Sequence, residues 1–415
     1  MRFIHTSDWH LGHKLHNQSR HQEHQAFLDW LLEQCDTHDV DGLIIAGDLF
    51  DTPNPSAIAT ELFYQFIAQL HKRCPHIQTI LIGGNHDSPQ RLEAPSKLLE
   101  QFNVKVIGGL LPQNALHFER LYIPLKNKQG EVGAWVVAVP YLRPSDLPNH
   151  TPKPENYLIE GVRNVYQHAL QGVEDLREPD QALIVTGHCY MNHGQLSLES
   201  ERKILGNHQN ALPLDLFPEQ VSYVALGHLH LAQMLGGREH IRYSGSPIPL
   251  SITERKYQHQ VLLVELEKSE LKSIDTLVVP REVDFIRIPD HEGGLPLDDV
   301  LDEIKKLDPI DLNLPQWKRP FLSVCVKLEV PNLHIKSEIY AALEGKSPRL
   351  TRIQTIKPPL GPTLASTLKS ETLQDLKPDT VFALRWKRKH NIDVPDDVLC
   401  NFTELYHELL EGEGE

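Results

Sequence analysis

No stretch of the 415 residues approaches the roughly 20 consecutive apolar residues that a membrane-spanning helix needs, so a helical membrane protein is excluded. There is no CxxC pair. The five cysteines, Cys35, Cys74, Cys189, Cys325 and Cys400, are odd in number and scattered, which argues against a disulfide framework or a cysteine-ligated zinc site and for reduced thiols in a cytoplasmic compartment. Net positive charge is also missing. With 41 basic and 56 acidic side chains, a balance of −15, the chain as a whole does not attract polyanions, and any nucleic-acid contact must be local. No Walker motif is present, which excludes a P-loop ATPase. Neither a fixed-period repeat nor an extended low-complexity segment occurs. The opening MRFIHTSDWH turns polar at position 5, too early for a signal-peptide core, and the expectation is a protein that stays in the cytoplasm.

What the chain does have is histidine, 24 residues of it, the commonest metal-ligating side chain. The first half alternates apolar runs with helical patterns: Arg2–Thr6, a helix near Gln22–Cys35, Gly42–Ala46, a helix from Ser56 to His71, and Thr79–Ile82. This is the wiring of βαβ units. The pattern continues with Ala134–Tyr141, a helix near Tyr157–Leu170, Ala182–Thr186 and Ser222–Leu226, then β-rich runs at Ile241–Ser244, Val261–Leu266 and Ser273–Val279. A change in composition at Pro280 predicts a domain boundary there.

Five predicted strand ends supply Asp8 and His10; Asp48; Asn85, His86 and Asp87; His188; and His228 with His230. Ligands at the carboxyl ends of strands share one cleft in open α/β sheets. In an extended DxH or HxH segment the two outer residues point the same way, so each pair is expected to aim at that cleft. Carboxylate, amide oxygen and imidazole without thiolate suit Mn²⁺, Fe²⁺ or Zn²⁺, and a shared carboxylate can hold two ions about 4 Å apart. Glycines precede Asp48, Asn85, His188 and His228, where they would permit tight turns. The remaining N-terminal histidines, His5, His13, His16, His21 and His24, are expected in solvated loop and helix positions. Cys189 reads as a buried small residue rather than a nucleophile.

DxH, GDxxD (Gly47 to Asp51), GNHD (Gly84 to Asp87), GH and GHxH, in this order, resemble the calcineurin-like metallophosphoesterases over roughly residues 1–250. HTSDWHLG, AGDLFDTPNPS, GNHDSPQRL and YSGSPIPLS narrow the resemblance to the SbcD family, nuclease subunits of double-strand-break repair complexes. The resemblance implies an α/β metallophosphoesterase β-sandwich flanked by helices, a smaller α+β C-terminal capping domain and a terminal partner-binding helix. It further implies two divalent ions, with Mn²⁺ expected, one on Asp8, His10, Asp48 and His230 and the other on Asp48, Asn85, His188 and His228. Asp48 would bridge them. His86 would be the catalytic non-ligand histidine, with Asp87 orienting its ring; at Asp51 archaeal relatives have a histidine instead. The implied activity is ATP-dependent 3′ to 5′ exonuclease action on double strands and endonuclease action on single strands and hairpins.

Three regions follow: 1–280 as nuclease domain, 281–390 as capping and DNA-contact domain, and 391–415 as an acidic helix and tail. Residues 312–390 hold 14 basic and 6 acidic side chains, a balance of +8. There Lys318, Arg319, Arg349, Arg352 and the RWKRK run at 385–389 either line a DNA backbone or form a solvated face. Residues 391–415 hold eight carboxylates and no Lys or Arg. Within them Val398, Phe402, Leu405 and Leu409, flanked by Leu399, Tyr406 and Leu410, repeat at helical spacing. The helix either docks on its own domain or, as the resemblance implies, joins an SbcC-like ATPase subunit with a coiled coil. A homodimer of nuclease subunits within a heterotetramer is implied likewise. Two other readings stand beside this one: a phosphomonoesterase or cyclic-nucleotide phosphodiesterase on the same scaffold, and a docking scaffold without catalysis.

Overall fold

The computed structural model describes residues 1–110, 118–147, 157–196, 211–291, 293–328 and 332–356, with shorter pieces between 382 and 402. In chain order, β1 (Arg2–Thr6) is followed by a small hairpin, β2 (Lys14–Leu15) and β3 (Gln18–Ser19), then α1 (His21–Thr37), β4 (Gly42–Ala46) and α2 (Ala57–Arg73). Next come β5 (Gln78–Ile82), α3 (Pro89–Glu93), α4 (Ser96–Leu99), β6 (Val104–Ile107), β7 (Tyr122–Lys126), β8 (Val132–Val137) and α5 (Tyr157–Glu174). β9 (Ala182–His188), β10 (Tyr223–Gly227), β11 (Gln233–Leu235), β12 (Arg238–Tyr243), β13 (Gln260–Glu267) and β14 (Glu270–Val278) complete this part.

These strands form two six-stranded mixed sheets, ordered β14-β13-β1-β4-β5-β6 and β11-β12-β10-β9-β8-β7. The centre of each is parallel, with Ile4 opposite Leu43 in one and Val224 opposite Val185 in the other. Strands covered on both faces read as unbroken apolar runs, and β4 (GLIIA) and β5 (QTILI) are buried throughout. Along β4, Ile44 and Ala46 face the second sheet, while Leu43 and Ile45 face α1 and α2. α1 answers with Phe27, Leu28, Leu31, Leu32 and Cys35, and α2 with Leu62, Phe63, Phe66, Ile67 and Leu70, the spacing of one apolar helical face. α2 starts where Ser56 Oγ accepts the Ala59 N–H at 3.3 Å. α5 covers the outer side of the second sheet with Val165, Tyr166, Ala169 and Val173. The result is a helix-flanked sandwich, as the resemblance implied.

Beyond β14 the chain forms β15 (Phe285–Ile288), α6 (Leu297–Lys305), β16 (Phe321–Lys327), α7 (Ile335–Ala342) and β17 (Arg349–Ile356). The three strands are all parallel, and Val300, Ile304 and Ile339 of the two helices pack on Ile288, Leu322, Val324 and Val326. This corrects the expected α+β arrangement to α/β, because a helix intervenes between each pair of strands and parallel pairing needs such crossovers. Leu15, Ile252, Val283, Phe285 and Phe321 join this unit to the sandwich. Arg20, fully buried at this seam, forms a bidentate pair with Glu23 (2.5 and 2.6 Å), donates to the Pro249 carbonyl (2.6 Å) and sits over the rings of Phe285 and Phe321.

In the basic stretch, Lys318 pairs with Glu282 at 2.7 Å, and Arg349 donates to the Trp317 and Arg319 carbonyls over the Phe321 ring. Those two cations serve the local fold. Arg385, Lys387 and Lys389 are helical and exposed. Val398, Leu399 and Phe402 are also helical, and the Phe402 ring stacks on Phe382 with centroids 4.1 Å apart. Leu405, Tyr406, Leu409 and Leu410 lie outside the described residues. Among the described residues no helix is long and apolar enough to cross a membrane.

Candidate metal centre

All five predicted strand ends meet at one rim of the sandwich. Asp8 and His10 follow β1, Asp48 follows β4, Asn85 and His86 follow β5, His188 ends β9, and His228 and His230 follow β10. The loops after β1 and β4 run side by side, with the N–H groups of Asp8, His10 and Leu11 donating to the carbonyls of Gly47, Asp48 and Leu49 at 2.9–3.0 Å. The expected pleat of an extended DxH pair is not what aims these side chains. Asp8 (φ 53°), His10 (φ 46°), Asp48 (φ 49°) and His228 (φ 101°) are left-handed, a region Asp and His enter more readily than most residues. Each of these four side chains is turned into the cleft by its own backbone. The glycine expectation is also amended: Gly47 has φ 91°, but Gly84 and Gly227 are needed for close approach. A Cβ on Gly84 would lie 2.1 Å from Asp48 Oδ1, and one on Gly227 2.0 Å from the Ala46 carbonyl oxygen.

Asp48 Oδ2 stands 3.5 Å from His10 Nε2 and 3.4 Å from His188 Nε2. Asn85 Oδ1 lies 3.0 Å from His188 Nε2 and 3.1 Å from His228 Nδ1. On the other side Asp8, His10 and His230 bring a ligand atom each within 4.8 Å of one another, as do Asp8, Asp48 and His188. Donor atoms sharing an ion at about 2.1 Å stand about 3.0–3.4 Å apart, which is the spacing here. Both ring nitrogens of His10 are buried without a well-formed hydrogen bond, facing only the Asp48 carboxylate at 3.5 Å and the Asp51 carboxylate at 3.4 Å. Oxygen and imidazole donors, with one carboxylate between two imidazoles, together fit divalent metal ions. Asp8 is itself fixed, accepting from Ser7 Oγ (2.5 Å) and the His228 N–H (3.1 Å).

Electrostatics follow from burial and crowding. Burial opposes ionisation of Asp48, but the surrounding rings of His188, His10 and His86 hold its carboxyl far below the usual range. Burial also works against a charged His188, yet the Asp48 carboxylate pushes it up to about 9. His228, buried and next to His188, is lowered to about 3.

The His86 ring is oriented differently from the expectation. Its Nδ1 lies 2.7 Å from the Asp51 carbonyl oxygen, which can only accept, so Nδ1 bears the proton. The Asp87 carboxylate is occupied by the N–H groups of Leu49 (3.1 Å), Phe50 (3.0 Å) and Gly84 (3.0 Å); it ties two loops together rather than steering the ring. Burial and the charge of Asp48 raise Asp87 to about 6. Asp51 turns its side chain to His10 Nδ1 at 3.4 Å. His5 and His24 are fully buried, contrary to the solvated positions expected: His5 faces the second sheet, 2.9 Å from the Tyr223 hydroxyl, and burial lowers it to about 3. Cys189 is half-buried, and desolvation pushes its thiol up to about 12, which disfavours a thiolate there.

Glu254 is a residue that sequence reasoning missed. Fully buried, it accepts from His230 Nδ1 at 2.9 Å, although SITERK looks like a solvated turn and a single sequence offers no sign of its burial.

Comparison with known proteins agrees with this geometry. The calcineurin-like phosphoesterase family model matches residues 1–232, and the type 5 capsule protein repressor C-terminal domain model matches residues 281–390. The SbcD subunit of nuclease SbcCD from Rhodobacter capsulatus is 38% identical over 373 residues, covering 87% of this chain and 90% of that protein. Its namesake from Escherichia coli K12 is 38% identical over 287 residues, 68% of each chain. That from Bacillus subtilis is 32% identical over 275 residues, 65% of this chain and 67% of that one.

Proposed function

Since the chain belongs to the SbcD family of nuclease subunits among the calcineurin-like phosphoesterases, and is thus a phosphodiester hydrolase, we propose that it cleaves DNA with two divalent ions, Mn²⁺ at both positions. Asp8, His10, Asp48 and His230 would hold one ion, and Asp48, Asn85, His188 and His228 the other. The observation behind this division is the single oxygen, Asp48 Oδ2, 3.4–3.5 Å from imidazoles of opposite sheets. When bound, two such cations supply Lewis acidity, lowering the pKa of water and offsetting charge at phosphorus.

The protein's own part is positional. Asp48 Oδ1 accepts the His86 N–H at 2.8 Å, so the catalytic histidine is registered to the same carboxylate that faces both ligand sets. With Nδ1 bonded to the Asp51 carbonyl, proton transfer to the leaving oxygen would occur at Nε2. The buried walls of the site keep these charges in a medium where they act strongly.

The division into 1–280, 281–390 and 391–415 is part of the same reading, supported by the separate apolar cores on either side of residue 280. We further assign 3′ to 5′ polarity, ATP dependence through an SbcC-like coiled-coil partner, docking of that partner on 391–415, and a dimer of nuclease subunits. DNA would be the substrate along the exposed Arg385, Lys387 and Lys389.

A cleavage series tests this: end-labelled hairpin and linear DNA with Mn²⁺, wild type beside His86→Gln, with and without the ATPase partner, and a small phosphoester as control. Expected is DNA cleavage that falls about 10²–10⁴-fold in His86→Gln while both metals stay bound, and that becomes ATP-dependent with the partner. Turnover of the small ester alone, or lost metal in His86→Gln, refutes the assignment.

A further inference from the structure

We infer that Glu254 is a positioning residue for the ion held by His230, and that the C-terminal unit sets this position by gripping the turn from which Glu254 projects. The inference rests on the two-ion reading above.

Glu254 lies in the 3₁₀ turn Ile252–Lys256, 24 residues beyond His230. One carboxylate oxygen accepts the His230 Nδ1–H at 2.9 Å and the other accepts the Leu250 N–H at 2.8 Å. Because a carboxylate can only accept, this contact selects the tautomer in which His230 Nε2 is the lone-pair nitrogen. That nitrogen is then the ligand atom. Carboxylate–histidine pairs of this kind orient metal ligands and raise their basicity. His188 has the equivalent support from a different source, its Nδ1 resting on the Ala46 carbonyl oxygen at 2.9 Å. The two ion positions thus differ in what fixes them: one leans on a strand carbonyl deep in the sandwich, the other on a side chain from a short turn.

That turn is held from outside the sandwich. Ile252 packs against Val283, Phe285 and Phe321. Asp290, just past β15, takes Arg255 Nη2 at 2.7 Å and Lys256 Nζ at 3.0 Å. Arg281 donates to the carbonyls of Arg255 (2.6 Å) and Tyr257 (2.9 Å). A shift of the C-terminal unit would move residues 252–257, and with them the carboxylate that aims His230. The ion on Asp48, Asn85, His188 and His228 has no such attachment among the described residues.

Mn²⁺ titration of the full chain, followed by the electron paramagnetic resonance signal of free ion, tests this without relying on activity. Wild type should fill two sites. Glu254→Ala should weaken one of them by about 10–100-fold and leave the other at its wild-type affinity, with Glu254→Gln, which keeps an acceptor for Nδ1, in between. Arg281→Ala, which touches no ligand, should weaken the same site by about twofold or more. Wild-type affinity at both sites in Glu254→Ala overturns the inference, and an unshifted Arg281→Ala overturns the role of the C-terminal unit. Should Glu254→Ala not fold, Glu254→Gln decides: wild-type affinity at both sites is again the adverse result. A wild-type chain that binds no Mn²⁺ refutes the two-ion reading instead.

Discussion

Replacing Asp48 by Asn tests the centre at its most shared point. The change preserves shape and the oxygen that accepts the His86 N–H, but removes one unit of charge from a side chain 2% exposed. Its carboxylate lies within 4.8 Å of ligand atoms of His10 on one side and of Asp8 and His188 on the other. At an effective dielectric constant of about 20, one unit charge acting over about 4 Å is worth ~4 kcal/mol, roughly three decades in an equilibrium constant. Both ions should therefore bind at least about 10³-fold more weakly in Asp48→Asn. His228→Ala is the control: His228 approaches Asn85 at 3.1 Å but is absent from the Asp8, His10 and His230 cluster, so one ion alone should weaken. Equilibrium Mn²⁺ binding read beside DNA cleavage distinguishes the two patterns. Retention of both ions at wild-type affinity in Asp48→Asn, or cleavage above about 1% of wild type, would refute a carboxylate shared between two ions.

Three further outcomes are expected. Burial holds His5 at about 3 in the fold, against about 6.5 unfolded, so the unfolded chain takes up the proton first and stability falls as pH drops from 6.5 towards 3. Between pH 7.5 and 5 this one ring should account for about 2 kcal/mol, seen as a smaller pH-dependent loss of melting temperature in His5→Gln; an equal loss in both proteins is the adverse result. Arg20→Met leaves the buried Glu23 without its partner and should cost about 3–5 kcal/mol, most of it recovered in Arg20→Met/Glu23→Leu; a single variant within about 1 kcal/mol of wild type in chemical denaturation counts against the seam described. Neutralising Arg385, Lys387 and Lys389 should flatten the salt dependence of DNA binding by about 0.9 for each phosphate no longer neutralised, and an unchanged slope would return that run to an ordinary solvated face.

Much of the nuclease half is legible in advance because its strands are short, apolar on both faces and punctuated by polar loops. β1, β4, β5, β9 and β10 fall where the apolar runs place them, and each carries its predicted ligand to the same rim. What the residues do not disclose is backbone handedness. The DxH and HxH spacing predicts convergence through the pleat, whereas Asp8, His10, Asp48 and His228 converge through positive φ, which no side-chain pattern records. Contacts closed across long separations are equally hidden: the Asp51 carbonyl on His86, the amides around Asp87, and Glu254 under His230. His5 and His24 run against the solvated expectation because imidazole is apolar enough to be buried once one nitrogen is satisfied or the ring stays neutral. In the C-terminal unit the cations look alike by composition, but Arg349 serves the local fold through carbonyls and an aromatic face.

The left-handed residues at the rim have an evolutionary corollary. Glycine relieves such a conformation by about 1 kcal/mol, but at Asp8 and Asp48 it would also strip the acceptor from the buried His228 and His86 N–H groups, a larger loss. Strain and side chain are therefore retained together at these positions. By the same reasoning, copying the ligand set onto a foreign scaffold by side-chain identity would fail unless the loops were transplanted with their torsion angles, since the backbone is what points each side chain inward.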